Sequence, residues 1–191
     1  MFISDWIILK KLHIKESKSI VYIYTKDFWK ISAWIKESKL KYPIDIWNII
    51  NVSISTKWSV NQIESYKLKK TINYSELAFK SIQDILELIV YFYNLIPEWV
   101  PSVSFYEDYL ENIELLENDE TNRKCTEFFK MKLIMKSWIG LDMEKSENFK
   151  KIFEFAKNNK LSRMMKINWI TERLLEEISW FNKESYNLYL M

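Results

Sequence analysis

Residues 73–97 read NYSELAFKSIQDILELIVYFYNLIP, and the reading of this stretch decides the fold. Asn73 with Glu76 three residues on fits a capping box, in which each side chain satisfies the other residue's orphan amide. Ile72 and Leu77 sit where a hydrophobic staple would fix the angle at which the chain arrives. Pro97 ends the helix, because its ring clashes with the preceding turn and it has no N–H to give. Between these signals apolar residues fall at Leu77, Phe79, Ile82, Ile85, Leu86, Leu88, Ile89, Val90, Phe92 and Leu95. Beyond Glu87 they go nearly all the way round, the pattern of a helix covered by protein on most sides. The expectation is a central helix on which the rest packs.

Working outward from it, the second half of the chain is helical in pattern. Ser104 with Glu107 forms a second capping box, opening a helix that carries Tyr106, Tyr109, Leu110, Ile113 and Leu116 on one side. Asp119 to Asn122 breaks it. A helix over about 123–138 follows, with Gly140, the only glycine, as its left-handed cap. Asp142 opens another that runs to Asn158, and a last long helix spans about 161–182.

The first 72 residues look different. Residues 5–14 and 19–25 are rich in β-branched and aromatic types, with Glu16, Ser17 and Lys18 between them, which reads as a hairpin. Thr25 fits an N-cap for a helix over 26–38, where Phe28, Ile31, Trp34 and Ile35 recur at helical spacing, with a further strand as the rival. Val52, Ile54, Trp58 and Val60 alternate as in a half-buried strand, and Ile63, Tyr66 and Leu68 would return as its partner. The fold expected is therefore α+β: a small N-terminal antiparallel sheet (1–72) packed against a mostly helical C-terminal bundle (73–191), within a single domain of 191 residues. An all-α bundle is the alternative.

Composition limits the chemistry. At 48% hydrophobic and 16% aromatic residues, the chain has ample apolar surface to offset the entropy of ordering. One Gly and 3 Pro leave the turns to Asn, Asp, Ser and Lys. Cys125 is the only cysteine, which excludes an intramolecular disulfide and fits a reducing compartment. The start of the chain lacks the pattern of a signal peptide, and no apolar run approaches the ~20 residues that span a bilayer. A cytoplasmic protein without a membrane partner is expected. A single histidine, His13, leaves a Ser-His-Asp or Cys-His arrangement without supporting spacing, and one glycine rules out a Gly-rich phosphate loop. No cofactor is implied, and a catalytic role is the minority reading.

Charge is segregated. Residues 1–80 sum to +7, residues 81–121 hold ten carboxylates and no Lys or Arg, and the remainder sums to +5. Glu107, Glu111 and Glu114 fall at i, i+4 and i+7 on one helix face, with Asp108 and Glu117 at its margins. A solvated face is the bland account of such a run. The functional account is an acidic strip that docks on a protein partner with a basic surface, as in a non-catalytic inhibitor of the immunity or anti-defence type. A metal site is disfavoured, since carboxylate bundles usually add histidines at helical spacing. The competing reading is single-stranded nucleic-acid binding by N-terminal lysines interleaved with aromatics, with Lys30, Trp34, Lys67, Lys69 and Lys70 as candidates. A structural subunit of a larger assembly is the third.

Overall fold

Period-two burial, with Val21, Ile23, Ala33 and Ile35 inside and Ile20, Tyr22, Ser32 and Trp34 turned outward between them, dictates that the N-terminal segments are strands. A computed structural model describes residues 2–25, 27–39, 44–57, 59–72, 75, 77, 79–96, 103–117, 123–137 and 146–190. The fold is α+β, with five N-terminal strands followed by helices. The chain forms two compact units, residues 1–75 with 97–106, and residues 76–96 with 107–191.

The first unit holds β1 (Phe2–Lys15), β2 (Lys18–Tyr24), β3 (Ile31–Lys36), a 3-10 turn at Glu37–Lys39, β4 (Ile49–Lys57) and β5 (Val60–Lys70). The strands close into a barrel in the order β1-β2-β3-β5-β4. All neighbours are antiparallel except β3 and β5, which run parallel where Trp34 meets Gln62. This order with one parallel pair is that of a five-stranded OB-type Greek-key barrel. Closure is achieved by β1, whose first half pairs with β4 and whose second half pairs with β2, with an irregularity between Ile8 and Lys10. Such irregularities bend a strand enough to turn a barrel corner.

One expectation changes here: the helix read over 26–38 gives way to its rival, the strand β3, with only the 3-10 turn at Glu37–Lys39 after it. Helical spacing would put Phe28, Ile31, Trp34 and Ile35 on one face. In β3, Ala33 and Ile35 instead face the core while Trp34 faces out, as β-branched and aromatic residues favour. Trp6, Ile8, Val21, Ile23, Ala33, Ile35, Ile50, Val52 and Ile54 fill the interior, and each large aliphatic side chain there contributes roughly 1.5–3 kcal/mol. Trp6 stacks on Phe28 with ring centroids 5.6 Å apart. Scarcity of glycine shows in the turns: Trp47 (φ 72°) and Ser59 (φ 62°) take left-handed backbone without it. Ser59 lies between β4 and β5, so the strand expected to run on through Val60 ends at Lys57.

The second unit comprises α1 (Phe79–Leu95), most of α2 (Val103–Glu117), α3 (Arg123–Lys136), α4 (Glu147–Asn158), α5 (Leu161–Met165) and α6 (Glu172–Leu190). Its buried axis is α3, against which α1, α4, α5 and α6 pack. Every residue from Cys125 to Ile134 is buried, including Glu127, Lys130 and Lys132. The helix expected at the centre, α1, keeps Phe79, Leu86 and Val90 on an exposed face, at 74%, 44% and 52% exposure.

Buried charges on α3 are matched by distant groups. Lys130 Nζ donates to Glu87 at 2.6 Å and lies 5.0 Å over the Tyr91 ring, while Asn182 donates to Glu127 at 2.8 Å. Lys124 Nζ donates to the Met165 and Ile167 carbonyls, 2.7 Å each. Those carbonyls would otherwise accept from residues 169 and 171, so the helix expected over 161–182 divides into α5 and α6. Ser146 caps α4, its Oγ accepting from the Phe149 amide at 3.1 Å, and Ser104 lies one residue inside α2 rather than capping it. The expected signals at Asn73, Glu76, Pro97, residues 119–122, Gly140 and Asp142 lie outside the described residues. No helix among the described residues is long and apolar enough to cross a membrane.

Candidate nucleic-acid interface

Strand alternation in the barrel sends Lys18, Ile20 and Tyr22 of β2 and Ser32, Trp34 and Lys36 of β3 to the outside. Register then fixes who stands beside whom. Lys18 is opposite Lys36, Ile20 opposite Trp34, and Tyr22 opposite Ser32. From β1, Lys15 is opposite Lys18, Leu12 opposite Ile20, and Lys10 opposite Tyr22, with the Lys10 ammonium 5.9 Å over the Tyr22 ring. The result is three rows across β1, β2 and β3. One is cationic (Lys15, Lys18, Lys36), one apolar and aromatic (Leu12, Ile20, Trp34), and one mixed (Lys10, Tyr22, Ser32).

This arrangement has a cost within the protein. Like charges directly opposite one another across strands destabilise a sheet, and here three lysines align on adjacent strands. Trp34 beside them is 36% exposed, apolar surface that folding alone would hide. A polyanion with stackable flat groups suits both features.

Each end of the face carries a hollow. A small one of about 170 Å³ lies between Trp34, Lys18, Lys36, Val60 and Gln62. A larger one of about 670 Å³ is lined by Trp6, Tyr22, Phe28 and Trp29, with Asp27, Lys30, Thr56 and Asn61 among its polar groups. Its volume falls in the range of small-ligand pockets.

Of the nucleic-acid candidates read from sequence, the structure places Lys30 and Trp34 on this side of the barrel. Lys67, Lys69 and Lys70 sit five to eight residues past Gln62, where β5 pairs with β4 rather than β3. Lys69 lies 3.9 Å from Asp5 there. Lys10, Lys15, Lys18, Tyr22 and Lys36 are the members that candidate set lacked. Alternation in SIVYIYT and ISAWIK carries the signal, but it is readable only once 31–36 is a strand paired with β2.

The acidic candidates separate. Asp108 is buried and its carboxylate holds Lys136 and, at 3.7 Å, Lys132. Burial pushes the Lys132 ammonium below its ordinary pKa, against the pull of Asp108. Glu111 accepts from the Leu161 amide (2.8 Å), the Ser162 amide (3.1 Å) and the Ser162 hydroxyl (2.6 Å), capping α5. Glu107 and Glu114 are exposed, and the Glu117 side chain lies outside the described residues.

His13 stands in a small network. Its Nδ1 lies 3.1 Å from both Ser19 Oγ and Glu37 Oε1, and Ser19 donates to the same carboxylate. One ring nitrogen faces both partners, so the imidazole does not bridge hydroxyl and carboxylate as a proton relay requires. The Ser19 hydrogen bond, outweighing partial burial and helped by Lys11, holds the Glu37 carboxyl below its ordinary pKa. Among the described residues, no group of three or more His, Cys, Asp and Glu side chains is placed to hold a metal ion. No family model matches the chain, and no curated protein matches it.

Proposed function

We propose that this protein is a non-catalytic single-stranded nucleic-acid-binding protein that engages its ligand on the outer β1–β2–β3 face of the barrel. The observation that carries the reading is the row Lys15–Lys18–Lys36 alongside exposed Trp34. Repulsion within the row is relieved when phosphates lie across it, and Trp34 and Tyr22 supply ring faces for successive bases. The unit containing the barrel has thirteen lysines against seven acidic residues, a background field of the right sign. Docking of a basic protein on the acidic strip has less to support it, because Asp108 and Glu111 already serve α3 and α5.

The test is fluorescence anisotropy with labelled DNA and RNA single strands of about 12 nucleotides, at about 50 and about 200 mM salt. Expected is binding that weakens steeply with salt and falls at least several-fold in Trp34→Ala. Absence of any shift at the lower salt would overturn the reading.

A further inference from the structure

We infer that the larger hollow at the end of this face is a single-base pocket that selects guanine, an inference that rests on the strand-binding reading above. Its shape and its polar groups point to the same occupant. Trp6 and Phe28 form a flat stacked base, their planes 6° apart, and Tyr22 and Trp29 line the same cavity. Such walls take a planar ring. Asp27 stands among them, and a carboxylate repels phosphate while requiring N–H or O–H donors.

Asp27 is held in place, because its Oδ2 accepts from the Ser4 hydroxyl at 2.9 Å. A carboxylate offers about four acceptor positions over two oxygens, so this bond leaves capacity for a ligand. Asn61 is likewise fixed, donating to the Ser32 carbonyl at 3.1 Å and accepting from Thr56 at 2.9 Å. Lys30 lines the cavity as well and can meet the phosphate attached to the bound nucleoside.

Donor chemistry ranks the bases. Guanine offers an adjacent ring N–H and exocyclic NH₂, which one carboxylate accepts together. Adenine and cytosine each offer a single exocyclic amine. Thymine and uracil offer one N–H flanked by carbonyls that repel the carboxylate. Bidentate recognition of this kind discriminates by about tenfold or more.

The experiment measures wild type and Asp27→Ala against oligo-dT of about 12 nucleotides, unsubstituted or carrying one dG, dA or dC. Expected for wild type is tightest binding to the dG strand, by about tenfold over all-dT, with dA and dC between. Asp27→Ala should bind all-dT at least as tightly as wild type, since the carboxylate that repels thymine carbonyls is gone, and lose the ranking. Measurable wild-type binding without base preference, or a preference that survives in Asp27→Ala, overturns the guanine pocket and leaves strand binding standing. No wild-type binding to any strand overturns both.

Discussion

Lys18 and Lys36 face one another directly across the antiparallel β2–β3 pair, with Lys15 opposite Lys18 on the next strand. In free protein this row opposes folding, so binding and stability should respond to it in opposite directions. Lys36→Glu replaces repulsion with a cross-strand attraction and should stabilise the barrel by about 0.5 kcal/mol. The same change should weaken strand binding and lower the slope of log affinity against log salt by about 1. Chemical denaturation and anisotropy on one preparation check both signs.

Glu111 does internal work. Its carboxylate collects three donors at the first turn of α5, where helix amides have no partner of their own. Glu111→Ala should cost about 1–2 kcal/mol of stability and leave nucleic-acid affinity unchanged. Denaturant midpoints, with the Glu107→Ala variant as the exposed control, measure the difference.

Ser59 holds a backbone conformation (φ 62°) that glycine adopts without a Cβ clash. Ser59→Gly should therefore stabilise the β4–β5 hairpin by about 0.5–1 kcal/mol, seen as a higher melting temperature.

Tyr106 is buried, and burial first, then the negative charges of Asp5 and Asp27, push its hydroxyl up to about 12. The unfolded chain loses this proton near pH 10 while the folded chain keeps it to about 12. The unfolded state therefore binds fewer protons in that window, and stability present below pH 10 is lost as pH rises through it. Stability measured from pH 9 to 12 should fall less in Tyr106→Phe than in wild type, the difference reaching on the order of 2 kcal/mol.

Much of the fold is legible in local pattern. Residues 5–14 and 19–25, rich in β-branched and aromatic types, pair as a hairpin across Glu16 and Ser17, and the helical periodicity after residue 79 gives helices. The misreading of 26–38 comes from a segment whose apolar residues satisfy both periods, so a neighbouring strand had to arbitrate. Residues 161–182 read as one helix because nothing local shows Lys124 taking the Met165 and Ile167 carbonyls.

The most buried helix was hidden for a related reason. Glu127, Lys130 and Lys132 make α3 look like a helix with a wet side, whereas α1, with its denser apolar run, keeps an exposed face. Burial of a charge depends on partners such as Glu87, Asp108 and Asn182, which approach only after the chain has folded.

The amino-acid order alone determined the strand-then-helix succession and the surplus of lysine in the first part, because periodicity and charge are properties of neighbouring residues. Only the tertiary structure decided that the strands close on themselves and that Lys15, Lys18 and Lys36 stand in one row beside Trp34. It also decided that Asp108 and Glu111 turn inward. Alternation says which face of a strand meets the core, but the identity of the adjacent strand and its register are set by long-range packing and closure.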